Sequence, residues 1–479
     1  MFDLSKNIQS EARIETRIIP ADRLTPIKIL EDMKGKVLLE TAYAETGKGK
    51  YSIILLKEAF TIYKKDNRYY LINPDGKKYL IKAGKKGFLD IIKEFRERAP
   101  KNENLYEFPI PLGGIGYLGY NFFEEIEDIK FRLNDDRGLY DSAFIFGRNF
   151  LIYDHLHDQA LLISAFYRGE IEEIDLKKEL DNIEKEIKEI ATKESDYFRY
   201  IQKKSIIKSP NDRESFIEKV KFLKEEIYKG NLLQCVISRR IEIETNLKPI
   251  EAYRNLRMHN PSPYMFYFDF NKFQLFGASP EVMVKVNNNK ITVRPIAGTR
   301  PRGKTMAEDK ALENELKNDE KELAEHLMLV DLGRNDVGRV SIGGSVKVKE
   351  EMVVEKYSNV MHLVSEVEGI LDPEKKVEDV IKATFPAGTV SGAPKIQAIK
   401  TLDKIEDYAR GPYAGLVGYF DINGNFDSCI IIRSVICKGK TMWLQAGAGI
   451  VYDSVPEKEF DETNNKMRAL MIALGFKDF

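Results

Sequence analysis

At 479 residues the chain has length for roughly two to three cores of ~100–200 residues each. Its 75 Lys+Arg against 76 Asp+Glu leave a formal charge of -1, which argues against nucleic acid as the main partner, because phosphate neutralisation needs a basic surplus. With 43% hydrophobic residues the composition is globular, and no apolar run reaches bilayer length. The start Met1-Phe-Asp-Leu-Ser-Lys lacks the basic-then-apolar pattern of a secretory leader, and three cysteines (Cys235, Cys429, Cys437) cannot frame a disulfide scaffold, so a cytosolic protein is expected.

Residues 1–170 read as β-rich. Val37–Glu40 and Tyr51–Leu56 are strand-like, and Tyr69-Tyr-Leu-Ile and Lys77-Lys-Tyr-Leu-Ile flank an Asp75-Gly76 turn, predicting a hairpin. Ala143–Tyr153 is a further strand, with a break expected at Gly147-Arg148-Asn149. In residues 171–213, Leu176, Leu180, Ile183, Ile187 and Ile190 follow helical spacing, and the polar stretch Lys193–Arg213 reads as a linker. Residues 214–479 alternate helices and strands. Helices are predicted at Phe216–Tyr228, at Ala307–Leu332 as one long element, and at Phe460–Leu474. Strands are predicted at Gln234–Glu244, Phe273–Gly277, Val282–Val286, Ile291–Pro295, Ala414–Phe420, Cys429–Cys437 and Thr441–Gly447. Hairpin turns dominate, so the expected class is α+β: largely antiparallel sheets with helices packed outside.

Three motifs invite a function and fit it poorly. Gly114-Ile-Gly116-Tyr-Leu-Gly119 has dinucleotide-fingerprint spacing but no βαβ context, and a glycine strand closely approached by a neighbour suits it better. Gly298-Thr-Arg-Pro-Arg-Gly303-Lys304-Thr305 is a formal phosphate loop, yet Pro301 offers no N–H to a phosphate, and Asp331 falls on a helix instead of ending a strand. A P-loop nucleotide hydrolase is therefore the weaker alternative. His155-Leu-His157 reads as a charged surface turn rather than a metal pair.

Two Glu-x-x-Glu units carry more chemistry. Glu322 and Glu325 share a helix face, and Glu459 and Glu462 repeat the spacing after Pro456. Taken alone, such pairs usually face water. Four carboxylates converging from two helices would instead form an all-oxygen site suited to Mg²⁺. Around them stand small-residue loops able to receive a carboxylate, Phe385–Lys395 (with Gly388, Thr389, Ser391 and Gly392) and Gln445-Ala-Gly447-Ala448-Gly449. Arg433 lies in an apolar setting that calls for an anionic partner, Lys466 sits four residues after Glu462, and His362 occupies an apolar strand where it could shuttle protons.

Pro295-Ile-Ala-Gly-Thr-Arg-Pro-Arg-Gly, Leu329-Val-Asp-Leu-Gly-Arg-Asn-Asp, Met361-His-Leu-Val-Ser, Phe385–Lys395, Gly411-Pro-Tyr413-Ala-Gly, Gln445–Gly449 and Pro456-x-x-Glu459-x-x-Glu462-Thr together resemble the chorismate-utilising enzymes, most densely from residue 214 onward. The resemblance implies a two-layered β core and an Mg²⁺-dependent lyase. It implies metal ligands at Glu325 and Glu462 with Glu322 and Glu459 nearby, a general acid at Glu322, and a role for His362 in eliminating pyruvate. It also implies that Gly298, Thr299, Thr389, Tyr413, Arg433, Gly447, Ala448, Gly449 and Lys466 surround the substrate. Family members that add water carry Lys where Gln234 stands, and many aminodeoxychorismate synthases carry Lys in place of Ala297. Both positions therefore favour direct addition of ammonia, giving anthranilate, the first step toward tryptophan; aminodeoxychorismate formation is the near alternative, and a tryptophan-sensing subunit without catalysis the remoter one.

Leu38-Leu-Glu40-Thr41 with Asn260-Pro-Ser-Pro263-Tyr264-Met265 resembles the family's tryptophan-inhibitor site, with Lys50 beside it and Thr in place of the usual Ser at position 41. In plain structural terms Thr41 is a strand residue and Tyr264-Met265 core. No cysteine has the setting of a glutaminase nucleophile, so a separate glutamine amidotransferase subunit is the expected ammonia source.

Overall fold

The computed structural model describes residues 10–43, 47–105, 107–170, 174–192, 205–209, 212–357 and 360–476. Among the described residues twenty-two strands join in one ladder, and its pairings are antiparallel. The expected α+β class is what is observed. Side-chain alternation explains why the sheet is buried on both faces. In the strand Tyr51–Lys65, Ile53 and Leu55 enter an aromatic-rich core with Phe60, Phe146 and Phe150, whereas Ile54 and Leu56 enter a second core. In that second core Leu180, Ile183 and Ile187 of helix Leu176–Thr192 meet Leu256 of helix Pro249–His259 and Met467, Leu470 and Met471 of helix Pro456–Ala473.

The ladder unites distant parts of the sequence. Val37–Glu40 pairs with Met265–Phe268, and Ile115–Leu118 pairs with Leu416–Tyr419. Of the predicted linker, residues 193–204 and 210–211 lie outside the described residues; Ser205–Ile207 is a short strand on Ile243–Thr245. The hairpin forms as expected, with Tyr70 opposite Leu80 and Gly76 in the left-handed region at φ 83°. Gly116 lies on a strand between two neighbours, and a Cβ there would sit 1.9 Å from the Ala143 carbonyl oxygen, so close approach explains this glycine motif. His155 meets Ser52 Oγ at 2.7 Å and His157 Nδ1 meets Asp154 at 2.9 Å, so both histidines have ordinary partners.

Two predicted elements need correction. The single helix Ala307–Leu332 is two helices, Met306–Asn318 and Glu320–Gly338. Asp319 breaks them: its backbone is extended, and its carboxylate accepts the N–H groups of Lys321 and Glu322 as a cap. The strand Cys429–Cys437 is likewise interrupted between Phe426–Ile430 and Ser434–Lys438, because Arg433 takes a left-handed conformation at φ 50°. The break expected at Gly147-Arg148-Asn149 takes the form of a pairing irregularity: Ser142–Asp154 is one strand, but its register against Leu55–Phe60 shifts at these residues and passes over Arg148. The formal phosphate loop is occupied by the strand Ile296–Pro301, paired to Val360–Val364, and Asp331 is helical, so no strand-ended phosphate site exists there.

Replacing Gly116 with alanine should destabilise the fold by about 1–3 kcal/mol through forced separation of the strands, read as a lowered thermal midpoint relative to the parent chain.

Candidate active site

A cavity of about 510 Å³ lies where helices Glu320–Gly338 and Pro456–Ala473 face the strands Gln234–Thr245, Ile296–Pro301, Val360–Ile370 and Thr441–Ile450. Glu322, Glu325, Glu459 and Glu462 all line it. Periodicity puts each Glu pair on one helix face, and the fold turns both faces to the same space. Their charges are felt mutually. Burial pushes the Glu325 carboxyl up to about 7, with Glu322 and Glu462 adding to the effect. Burial also raises Glu459, and the neighbouring Glu462 charge adds to that. Burial pushes Glu462 up as well, but the Lys466 ammonium 2.6 Å from its Oε1 outweighs it and holds this carboxyl below its ordinary value.

Each carboxylate has a protein partner. Gln234 Nε2 donates to Glu325 Oε1 at 2.8 Å, and Arg300 Nη1 donates to Glu322 Oε1 at 3.0 Å. Among the described residues no three acidic or imidazole groups stand close enough to grip an ion together. The donor set nevertheless suits a hard divalent cation: all oxygen, and short of positive charge at Glu325 and Glu459. Gly449 keeps this end open, since a Cβ there would fall 2.9 Å from Gln234 Nε2 and 3.6 Å from Glu325 Oε1.

The rest of the wall is arranged for anions and proton transfer. The turn that interrupts the predicted strand delivers Arg433 to the cavity, where its Nη1 donates to the Lys466 carbonyl. Lys466 Nζ also donates to the Gly447 carbonyl at 2.9 Å. Tyr413 is buried, which pushes its phenol up to about 12, and its hydroxyl lies where a side chain on Gly447 would intrude at 3.1 Å. His362 Nδ1 meets the Gly298 carbonyl at 3.1 Å and Thr299 Oγ1 at 3.0 Å. A carbonyl only accepts, so Nδ1 carries the proton and Nε2 keeps its lone pair. Burial holds the imidazole down to about 4, hence neutral at ordinary pH. Ala297 adds only a methyl to the wall.

Of the predicted substrate residues, Gly298, Thr299, Thr389, Tyr413, Arg433, Gly447, Gly449 and Lys466 reach the cavity. Ala448 does not: strand alternation turns its methyl into an apolar cluster with Cys235 and Ile237. The loop Phe385–Lys395 uses its hydroxyls internally, Ser391 Oγ donating to the Ala387 carbonyl at 2.8 Å and Thr389 Oγ1 to Glu281 Oε1 at 2.7 Å.

Glu281 is the residue that sequence reasoning missed. It lines the cavity, and burial pushes its carboxyl up to about 8, with the Thr389 hydrogen bond opposing the rise. The available signal was an acid placed between two apolar strands, in Ala278-Ser-Pro-Glu281-Val-Met.

A second cavity of about 280 Å³ collects Glu40, Thr41, Lys50, Tyr264 and Met265, with Ser428 and Cys429 on its wall; Pro263 is not among its lining residues. Here Glu40 is already engaged, accepting from Tyr253 and from both Arg257 Nε and Nη2 at 2.9–3.0 Å. Tyr264 donates to Asp427 at 2.9 Å, and Lys50 stacks over the Tyr51 ring at 4.7 Å.

The profile of the chorismate binding enzymes matches residues 54–472, and the chain belongs to that family. Within it the chain is 43% identical to anthranilate synthase component 1 of Spirochaeta aurantia, across 98% of this chain and 97% of the relative. It is 40% identical to the protein of the same name in Acetivibrio thermocellus, across 96% and 94%. Anthranilate synthase component I of Streptococcus pneumoniae superposes with a TM-score of 0.76 at 35% identity, covering 95% and 99% of the two chains. The menaquinone-specific isochorismate synthase of Escherichia coli shares the fold, with a TM-score of 0.71 at 18% identity.

Thr389→Val removes the one hydrogen bond that lowers the Glu281 carboxyl. The protonated-carboxyl band of this group, followed by infrared titration, should then persist to a pH above the parent's value of about 8.

Proposed function

We propose that this chain is the synthase component of an anthranilate-forming lyase: chorismate and ammonia give anthranilate, pyruvate and water. The observation that carries the reading is one cavity whose wall holds four carboxylates together with Arg433, Tyr413 and Lys466. A substrate with two carboxylates, one of them beside a divalent ion, is complementary to that wall. The names of the full-length relatives agree with it.

Glu325 and Glu462, with Glu322 and Glu459, would hold Mg²⁺, which when bound neutralises and polarises the ring carboxylate. The chain's own groups account for the remaining work. Arg433, Tyr413, Lys466 and the glycine backbone at 447 and 449 orient the enolpyruvyl carboxylate, fixing the ring so that one carbon faces the incoming nitrogen. Loss of the ring hydroxyl as water needs a proton. Glu281, uncharged up to about pH 8, suits that donation. Glu322, the acid implied by family resemblance, is fixed in an ion pair with Arg300 and suits charge placement instead. Removal of the ring proton as the enolpyruvyl group departs needs a base, and the His362 Nε2 lone pair provides one. An amide at 234 and a methyl at 297 supply neither a base for water nor an amine nucleophile, which favours ammonia and the aromatic product over aminodeoxychorismate.

The three cysteines are buried, and desolvation raises their thiols, to about 12 for Cys235 and Cys437, so none offers a thiolate to glutamine. A separate glutamine amidotransferase subunit would supply the ammonia. The smaller cavity is assigned to tryptophan as feedback inhibitor, with Thr41, Lys50, Tyr264 and Met265 on its wall and Pro263 adjoining in sequence. For function the chain divides into a regulatory part at residues 1–170, a helix and linker at 171–213, and a catalytic part at 214–479. Among the described residues no helix is long and apolar enough to cross a membrane, and a cytosolic setting accords with the free thiols.

Incubated with chorismate, Mg²⁺ and ammonium at alkaline pH, the chain should develop anthranilate fluorescence; exclusive formation of an amino-enolpyruvyl product would establish the folate-type alternative instead. Glu462→Gln should raise the Mg²⁺ concentration needed for half-maximal rate by at least about tenfold. At fixed free ammonia, turnover should fall as pH rises through about 8, because the acid form of Glu281 is then lost. Tryptophan should inhibit the parent chain, and Met265→Trp, which fills the smaller cavity, should raise the inhibitory concentration while turnover without tryptophan persists.

A further inference from the structure

Beside the catalytic cavity a notch of about 20 Å³ runs in from the surface, lined by Asp212, Ser215, Lys219, Ser238, Tyr408 and others, and the residue it has in common with the cavity wall is Gln445. The orientation of that amide is dictated by a chain of hydrogen bonds. Arg410 Nη2 and Nε donate to Glu406 Oε1 and Oε2 at 2.7 and 2.8 Å. Ser238 Oγ donates to Glu406 Oε1 at 2.7 Å, which commits its only proton. The Ser238 oxygen can then only accept, and Gln445 Nε2 donates to it at 2.8 Å. The Gln445 oxygen must point the other way. It has no partner, although the residue is only 7% exposed. A buried acceptor without a donor costs free energy unless a ligand completes it.

The notch specifies that ligand. Its volume admits a water-sized molecule and excludes chorismate. Its acids are neutralised by bases, Asp212 by Arg239 and Asp407 by Lys219, with Glu406 bound by Arg410, so the walls exert little net pull on a cation. The bare oxygen calls for an N–H or O–H donor.

We propose that Gln445 is the ammonia contact of a side passage: neutral ammonia enters along the Ser215–Ser238 notch and is received by the Gln445 amide oxygen on its way to the catalytic cavity. This rests on the anthranilate-forming reading above.

Steady-state kinetics with ammonium as nitrogen source test the assignment. Gln445→Leu removes the acceptor at similar volume, and Ser215→Trp plugs the exposed end of the notch without touching the cavity. Both should raise KM for ammonium by about five- to tenfold, the size of one lost hydrogen bond or a narrowed path, while KM for chorismate shifts less than about twofold. Ser238→Ala, which frees the amide to turn over, should raise the ammonium KM in the same direction. An unchanged ammonium KM in both Gln445→Leu and Ser215→Trp would overturn the passage, as would a parallel rise in the chorismate KM, which would place Gln445 in the chorismate pocket. If Gln445→Leu fails to fold, Ser215→Trp on the surface decides alone. Failure of the parent chain to make anthranilate from ammonium would instead remove the underlying function.

Discussion

Enclosing like charges is the constraint on which this structure turns. Glu325 is half-buried, and desolvation with the nearby charges on Glu322 and Glu462 raises its carboxyl to about 7. Protein side chains meet part of the cost: Lys466 compensates Glu462, Arg300 compensates Glu322, and the Gln234 amide solvates Glu325 without neutralising it. The remaining excess of negative charge is the feature on which the proposed Mg²⁺ site rests. A fold tolerates such an arrangement only when surrounding structure is strong enough to hold it, because each unpaired buried carboxylate costs several kcal/mol. The strand ladder, buried on both faces, supplies that rigidity.

The cavity wall at Arg433 shows a second local cost accepted for placement. Arg433 adopts a left-handed backbone, at about 1–2 kcal/mol for a residue with a Cβ. The gain is direction. Within a continuous strand from 429 to 437 its guanidinium would follow the pleat; the interruption swings it to the Lys466 carbonyl and the cavity. One element therefore fixes Arg433, Lys466 and, through the Lys466 ammonium, the Glu462 carboxylate.

The legibility of the sequence divides along the same physical lines. Elements set by local periodicity were readable: the helix of Leu176, Leu180, Ile183, Ile187 and Ile190, the Asp75-Gly76 hairpin, and the shared face of each Glu pair. Elements set by a single side chain or one backbone angle were not. Nothing in Ala307–Leu332 announces that Asp319 will cap a new helix rather than sit mid-helix, and Arg433 resembles any arginine in an apolar run. Ala448 is placed around the substrate by resemblance alone, and period-2 alternation between Gly447 and Gly449 turns its methyl away from the cavity. Glu281 escaped because its character comes from burial in the folded chain and from a hydrogen bond by Thr389, distant in sequence, that opposes the burial effect. Convergence of the two Glu pairs was beyond spacing rules, which describe one helix at a time.

The two cavities are joined by one stretch of backbone, and this bears on how a regulatory ligand could be felt. Ser428 and Cys429 line the smaller cavity, and Arg433 in the catalytic cavity follows four residues after Cys429. Between them Ile430 and Ile431 are fully buried and hydrogen-bonded to the Glu281 and Gly415 carbonyls. Ile430 N–H donates to the backbone of the residue that also carries the proposed proton donor. A ligand that displaced Cys429 would therefore act on Arg433 and Glu281 together, altering carboxylate binding and proton supply at once.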